Sequence, residues 1–382
     1  MGQPTSDNPD RRTRSAVPIR RTDAARHLLN VRQVKDGLAI IPQPSWRNAS
    51  LAGFQSALAA AITLPLVHVS AFSHLTGFAA LGCLVALFGR YAPERRRGRI
   101  LLSCGIVQTL AVFAMSMAGV LGAPLSAKLL LLAFSCGVFY VVAVKGQFGP
   151  PGPLIFIFAA GAAVQDAGSF QMVLERTLAT GLAAMLAWGI CAATECFRNH
   201  PGPDHNVPAP PTPTTHQLTF TAAHSVLAAL IAVFASHAFG AEFPFWAAMG
   251  AIAVLQGPHL HINMIRAFQR MGGTIVGALI VWLILDLNPS FWAILGTLLL
   301  LQYGTEIIIG RNYGLGQMLV TPMALLMTHL ASPSSSAGAM VTERILDTML
   351  GASIGMVVAV AGSSLAERHV LARHTARRRR AS

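Results

Sequence analysis

Phe78-Ala-Ala-Leu-Gly-Cys-Leu-Val-Ala-Leu-Phe-Gly89 and Trp246-Ala-Ala-Met-Gly-Ala-Ile-Ala-Val-Leu-Gln-Gly257 are two versions of one pattern, set 168 residues apart (246 against 78). Both are uncharged and almost wholly apolar, as a helix buried in hydrocarbon requires. A second pair shares the offset: Glu175-Arg176-Thr-Leu178-Ala-Thr180 and Glu343-Arg344-Ile-Leu346-Asp-Thr348. Apolar composition alone yields chance matches between greasy runs, but it does not place an acid–base pair at the same spacing. The chain therefore contains an internal repeat.

The surrounding sequence says what is repeated. Of 382 residues, 53% are apolar and 11% charged, against roughly 25% charged in a soluble domain. That disfavours a soluble enzyme and excludes a disordered or collagen-like chain. A membrane-crossing helix needs about 20 mostly apolar residues. Twelve such segments fit near residues 50–69, 72–89, 100–120, 126–144, 147–165, 172–196, 218–238, 243–257, 271–287, 291–310, 312–331 and 342–365. The expected fold is an all-α polytopic integral membrane protein, about twelve transmembrane helices in two six-helix repeats. An even number of crossings per copy makes the repeats parallel, two bundles facing each other across a central path.

Domain limits follow. Residues 1–49 form a basic cytoplasmic segment without a signal peptide's apolar run. Residues 50–196 and 218–365 are the two repeats, 197–217 a Pro-rich cytoplasmic linker, and 366–382 a basic cytoplasmic tail. The charge excess of +13 fits this order better than it fits nucleic acid. With the N-terminus inside, Arg90, Lys145, Arg198, Arg266, Arg270 and Arg311 fall on inner ends, as the positive-inside rule demands. Lys128, Arg176 and Arg344 are left on the outer side. The expected location is a bacterial inner membrane, with both termini cytoplasmic.

Candidate functional residues are those that a bilayer tolerates badly. Arg176 and Arg344 occupy equivalent places in the two repeats, and an intramembrane cation is a functional candidate by default. Each can equally snorkel to headgroups or pair with Glu175 or Glu343. Phe148-Gly-Pro-Pro-Gly-Pro153, with Pro151 and Pro153, is expected to interrupt the fifth helix. Thr321-Pro322 is expected to interrupt the eleventh at nearly the same depth. Broken helices at corresponding places point to a transporter's binding site. Asp347 follows Arg344 by three residues, so an intrahelical ion pair accounts for it, and it is also a proton-coupling candidate. Glu306 is the second such candidate, lining a cavity or lying at headgroups.

Other features carry less. Gly273/Gly277 and Gly351/Gly355 have the spacing that lets helices pack closely. Trp46, Trp246 and Trp292 fall where interfacial anchors are expected. The five cysteines lie in apolar runs and read as small buried residues. His259 and His261 would not share a helix face, so no metal is assigned, and no cofactor is implied. The phosphate-binding GxxxxGK[ST] loop does not occur, so ATP hydrolysis by this chain is not expected.

The ordered motifs resemble the fusaric acid resistance protein-like family. They run from Phe245-Trp246 to Gln256, through Arg266, Gln269-Arg270 and Gly273-Thr274-Ile-Val-Gly277. Arg311-Asn312-Tyr313, Thr321-Pro322 and Glu343 to Gly351 follow in order. The resemblance implies an exporter of small organic acids, including aromatic carboxylates, that in some members works with a periplasmic adaptor. Many relatives carry a long cytoplasmic domain after each half, and here a short linker and tail stand in its place. A homo-oligomer is compatible with the family, as is a passive anion channel, since plant anion channels are similar. A major-facilitator carrier also has twelve helices in two halves. Its loop pattern GxxxDRxGRR is matched only loosely by Gly89 to Arg99, and a non-transporting scaffold has no motif in its favour.

The topology has a direct check. A cysteine placed at Pro210 should stay unlabelled by an impermeant thiol reagent in whole cells, and labelling from outside would refute the helix count of the first half.

Overall fold

A computed structural model describes residues 45–165, 167–199, 213–256, 260–331 and 336–363, without the side chains of Glu94, Arg95 and His261. The basic segment up to 44, the linker from 200 to 212 and the tail from 364 lie outside the described residues, as does His259.

The described residues form twelve α-helices and no strand. They are α1 Trp46–His68, α2 Thr76–Cys83, α3 Glu94–Val120, α4 Leu125–Lys145, α5 Leu154–Ala162, α6 Phe170–Ala193, α7 Thr215–Ala238, α8 Phe245–Leu255, α9 Leu260–Asp286, α10 Phe291–Ile308, α11 Tyr313–Ala331 and α12 Ala337–Ala361. Local sequence starts them. Ser45, Ser169, Ser290 and Ser336 cap α1, α6, α10 and α12 by accepting a backbone N–H, and Thr214 with Gln217 makes a capping box on α7, satisfying donors that a helix start leaves free. Proline precedes α3, α4, α5 and α8.

Nine helices are long and apolar enough to cross a bilayer; α2, α5 and α8 are not. Four expected spans are corrected here, the 271–287 span because α9 already starts at Leu260. The 72–89 segment is helical only at its centre, with 3-10 turns at Ser73–Leu75 and Leu84–Leu87. The 147–165 segment loses its first half. Gly149 and Gly152 take φ of 71° and 70°, and the prolines between and beside them cannot continue a helix. The Pro-rich stretch is thus a loop leading into α5, not a break within it. The 243–257 segment shortens to 11 residues. Pro322 is also corrected. It lies inside α11, which runs through it unbroken. Proline removes one backbone donor, and the carbonyl four residues back, that of Met318, faces Gly277 on α9.

Helix partners recur six helices apart. α2 packs on α6 and α8 on α12; α3 packs on α5 and α6, and α9 on α11 and α12. α5 meets α8 and α11 meets α2, while α4 lies along α7 and α10 along α1. The outward surfaces are apolar: Leu102, Ile106 and Leu110, four apart on α3, are 41%, 53% and 57% exposed. Such a stripe is at home in lipid and a liability in water.

Two ends can be told apart. One gathers Arg47, Arg90, Arg97, Arg198 and Arg311: Arg47 donates to the Phe197 carbonyl, Arg198 to that of Ala92, Arg97 to Glu195, and Arg311 lies on Trp46. This basic end holds the loops expected to be cytoplasmic. The opposite end carries His74, Glu175, Phe243 and Glu343. Trp46 and Trp292 are half exposed, as anchors should be, but Trp246 is fully buried and does not anchor an interface. Four cysteines are buried; Cys196 is exposed, contrary to expectation.

The tightest seam joins α8 to α12. A Cβ added at Gly351 would collide with the Ala247 carbonyl, and one at Gly355 would come within 2.7 Å of that of Ala251. Gly351→Ala should therefore lower stability by about 1–3 kcal/mol through overpacking. Gly296→Ala, where no atom lies within 4 Å, should be neutral. Thermal unfolding of the purified proteins checks the contrast.

Candidate functional site

Arg344 is the focus. Counting 1.5 Å per residue, it lies about 10 Å into α12 from the opposite end, on the face turned to α8 and α9. It is 0% exposed, and none of its three guanidinium nitrogens has a hydrogen-bond partner. Its Cζ lies 5.3 Å from the centre of the Trp246 ring, and the Trp246 Nε1 donor is likewise buried and unpartnered. A desolvated stack on tryptophan returns about 2 kcal/mol, whereas a buried ion costs several. The stack alone does not balance the charge.

Neighbouring groups complete the picture. Arg270 on α9 is 2% exposed, donates to the Tyr313 hydroxyl at 3.2 Å and has an unpartnered Nε. It and Asp347 lie within electrostatic reach of Arg344. Arg266, one turn before Arg270, stacks on the same Tyr313 ring at 5.6 Å. Asp347 accepts from Ser236 of α7 at 2.7 Å, and its second oxygen is unpartnered. The expected intrahelical pair between Asp347 and Arg344 is thus not formed, because Ser236 holds the carboxylate. Glu343 turns the other way and accepts the Phe243 backbone N–H ahead of α8. The arrangement is rich in buried donors aimed at no acceptor, which suits a small anion.

The other candidates are dispersed. Arg176 is half-buried, donates to the Gln165 carbonyl at 2.9 Å and lies 5.1 Å from the Phe78 ring. Glu175 pairs with His74 at 3.1 Å and accepts from Gln171. Pro151 and Pro153 stand at the basic end, where Gly152 approaches Gln256. Pro322 is buried in α11, with Gly273 and Gly277 of α9 close against that helix. Arg311 stacks on Trp46 at 3.6 Å. Glu306 forms an ion pair with Arg90 at 2.7 Å, both side chains 4% exposed.

Sequence reasoning missed Arg90 and Arg97, both buried. Arg97 donates to Glu195 and to Gln55. They stand in a basic loop that reads as solvated, and only their carboxylate partners, far along the chain, reveal them. Ser236 gave no signal at all. Among the described residues no group of three His, Cys, Asp or Glu is placed to hold a metal.

Residues 230–358 match the fusaric acid resistance protein-like family, the segment that contains Trp246, Arg270, Arg344 and Asp347. The chain is also similar to the uncharacterized membrane protein YvaC of Bacillus subtilis (strain 168), 32% identical over 120 residues. That stretch is 31% of this chain and 19% of YvaC, so the chain spans under a fifth of that relative in the match. No solved structure matches.

The Arg90–Glu306 pair yields a stability prediction. Glu306→Gln leaves a buried guanidinium unpaired and should cost about 3–5 kcal/mol. The double variant R90M/E306L should recover most of it, as thermal unfolding of the purified chain would register. Equal losses in the single and double variants would mean that the side chains matter only by their shape.

Proposed function

We propose that this membrane protein exports small organic anions, aromatic carboxylates among them, across a bacterial inner membrane. The observation that carries the reading is Arg344, wholly buried with every donor unpartnered. A carboxylate accepts two parallel N–H bonds from a guanidinium, and in a dry site that contact offsets the cost of burying both charges. Trp246 supplies one more donor, and Arg270 a second positive charge. The residues in this role come from the segment that matches the fusaric acid resistance protein-like family.

The wider architecture is read as two parallel six-helix repeats, supported by contacts that recur with the 168-residue offset. Phe78 lies under Arg176 as Trp246 lies under Arg344. Gly82 meets the Thr180 carbonyl as Gly250 meets that of Thr348. The positive-inside distribution supports cytoplasmic termini. Proton coupling falls to Asp347, beside the site, since Glu306 is engaged with Arg90.

In vesicles loaded with benzoate, efflux per inserted protein should fall at least tenfold in Arg344→Gln and recover partly in Arg344→Lys, which keeps the charge without the fork. Asp347→Asn should abolish the response to an imposed pH gradient. Normal efflux per molecule in Arg344→Gln would remove the binding role. Ionic currents far above transporter turnover would replace the carrier with a channel.

A further inference from the structure

The two halves share a frame but not the chemistry within it. Shifting each polar group of the Arg344 site back by one repeat gives the first half's version. Trp246 becomes Phe78, without the indole N–H, and Asp347 becomes Ala179; α9 aligns with α3 at 166 residues, helix end to helix end, so Arg270 becomes Cys104 and Arg266 becomes Ile100, both buried and uncharged. Only the arginine, the glutamate before it and Thr180 persist, and Arg176 is half-buried with a backbone carbonyl among its partners. In the second half, by contrast, Arg266 and Arg270 follow each other by one turn of α9 on Tyr313, and Arg344 stands farther along on α12. Arg270 lies about 15 Å in from the basic end of α9. The cations thus form a ladder running from the basic end towards the opposite end.

Among the described residues, the cleft at the boundary between the halves is lined without cations. The cleft there, at the opposite end among α2, α5, α8 and α11, is lined by Leu81, Phe158, Phe245, Met327 and Glu242, with no Lys or Arg in its lining. An anion meets a carboxylate and apolar wall there.

We infer that the chain has a single anion path, confined to the second half and running along Arg266, Arg270 and Arg344 between α8, α9 and α12, with the first half as its support. The inference rests on the anion reading of Arg344 and adds to it where the ligand goes and how many it takes. Arg176 is a structural residue that holds the α6 start against α2 through Phe78 and the Gln165 carbonyl.

Equilibrium binding of radiolabelled benzoate to the full chain in lipid nanodiscs tests it. The native chain should bind one benzoate per chain. Arg176→Gln should keep that stoichiometry with affinity changed less than about twofold, while Arg270→Gln should weaken binding at least tenfold and Arg344→Gln should abolish it. Arg344→Lys, which preserves the charge, serves if Arg344→Gln fails to insert, and should bind one benzoate more weakly. Two benzoates per chain, one of them lost in Arg176→Gln, would overturn the single path, as would unchanged affinity in Arg270→Gln. No saturable binding to the native chain would overturn the anion reading itself, a result distinct from the other two.

Discussion

The enclosure of a guanidinium with no partner depends on how closely α8 and α12 approach. Gly351 and Gly355 let α12 settle against the carbonyls of Ala247 and Ala251, and Gly250 brings α8 against Thr348 and Ala352 in return. Helices in lipid gain little from burying apolar area, so close backbone packing is the main force that holds them. With glycine on both helices the seam shuts, and Arg344, two turns before Gly351, is fully buried. In the first half Ala183 and Ala187 stand where Gly351 and Gly355 do, and the Cβ of Ala183 already presses on Gly82. The arginine of that half lies partly open.

Much of this was legible in the sequence because a bilayer leaves few options. Apolar runs put a helix within each of the twelve expected segments, nine of them long enough to cross a bilayer among the described residues. What the sequence overstated was helix length. The segments 72–89 and 147–165 are mostly apolar, yet 3-10 turns flank the helix of the first, and glycine φ with proline chemistry delays that of the second. Pro322 misled in the opposite sense: α11 continues past it, with Gly277 allowing α9 to lie against the freed Met318 carbonyl. The site was half visible. Arg344 stood out as a charge in hydrocarbon, but that it lacks a partner, and that Ser236 holds Asp347, depends on side chains from α7, α8 and α9 meeting in space.

Buried charge serves two ends in this fold, and the partner decides which. At the basic end Arg90 has Glu306, while Arg97 and Arg198 share Glu195. Arg90–Glu306 and Arg97–Glu195 tie segments far apart in sequence, and a matched buried ion pair strongly resists loss of one member. Those cations are spent on architecture. Arg344 and Arg270 have one hydroxyl and one aromatic face between them, which satisfies neither.

A carrier must also release what it binds. A bidentate carboxylate in a dry pocket would be held too firmly if the guanidinium had no alternative, since binding shared by all states of a cycle only slows it. Asp347 supplies the alternative on the proposed reading. It stands one turn from Arg344, is held at one oxygen by Ser236, and keeps the other oxygen free. Ionised, it competes with the ligand for the guanidinium; protonated, it yields the cation to the ligand and becomes a donor itself. One carboxylate beside one arginine thus links occupancy of the site to a proton. The first half has Ala179 at the equivalent place.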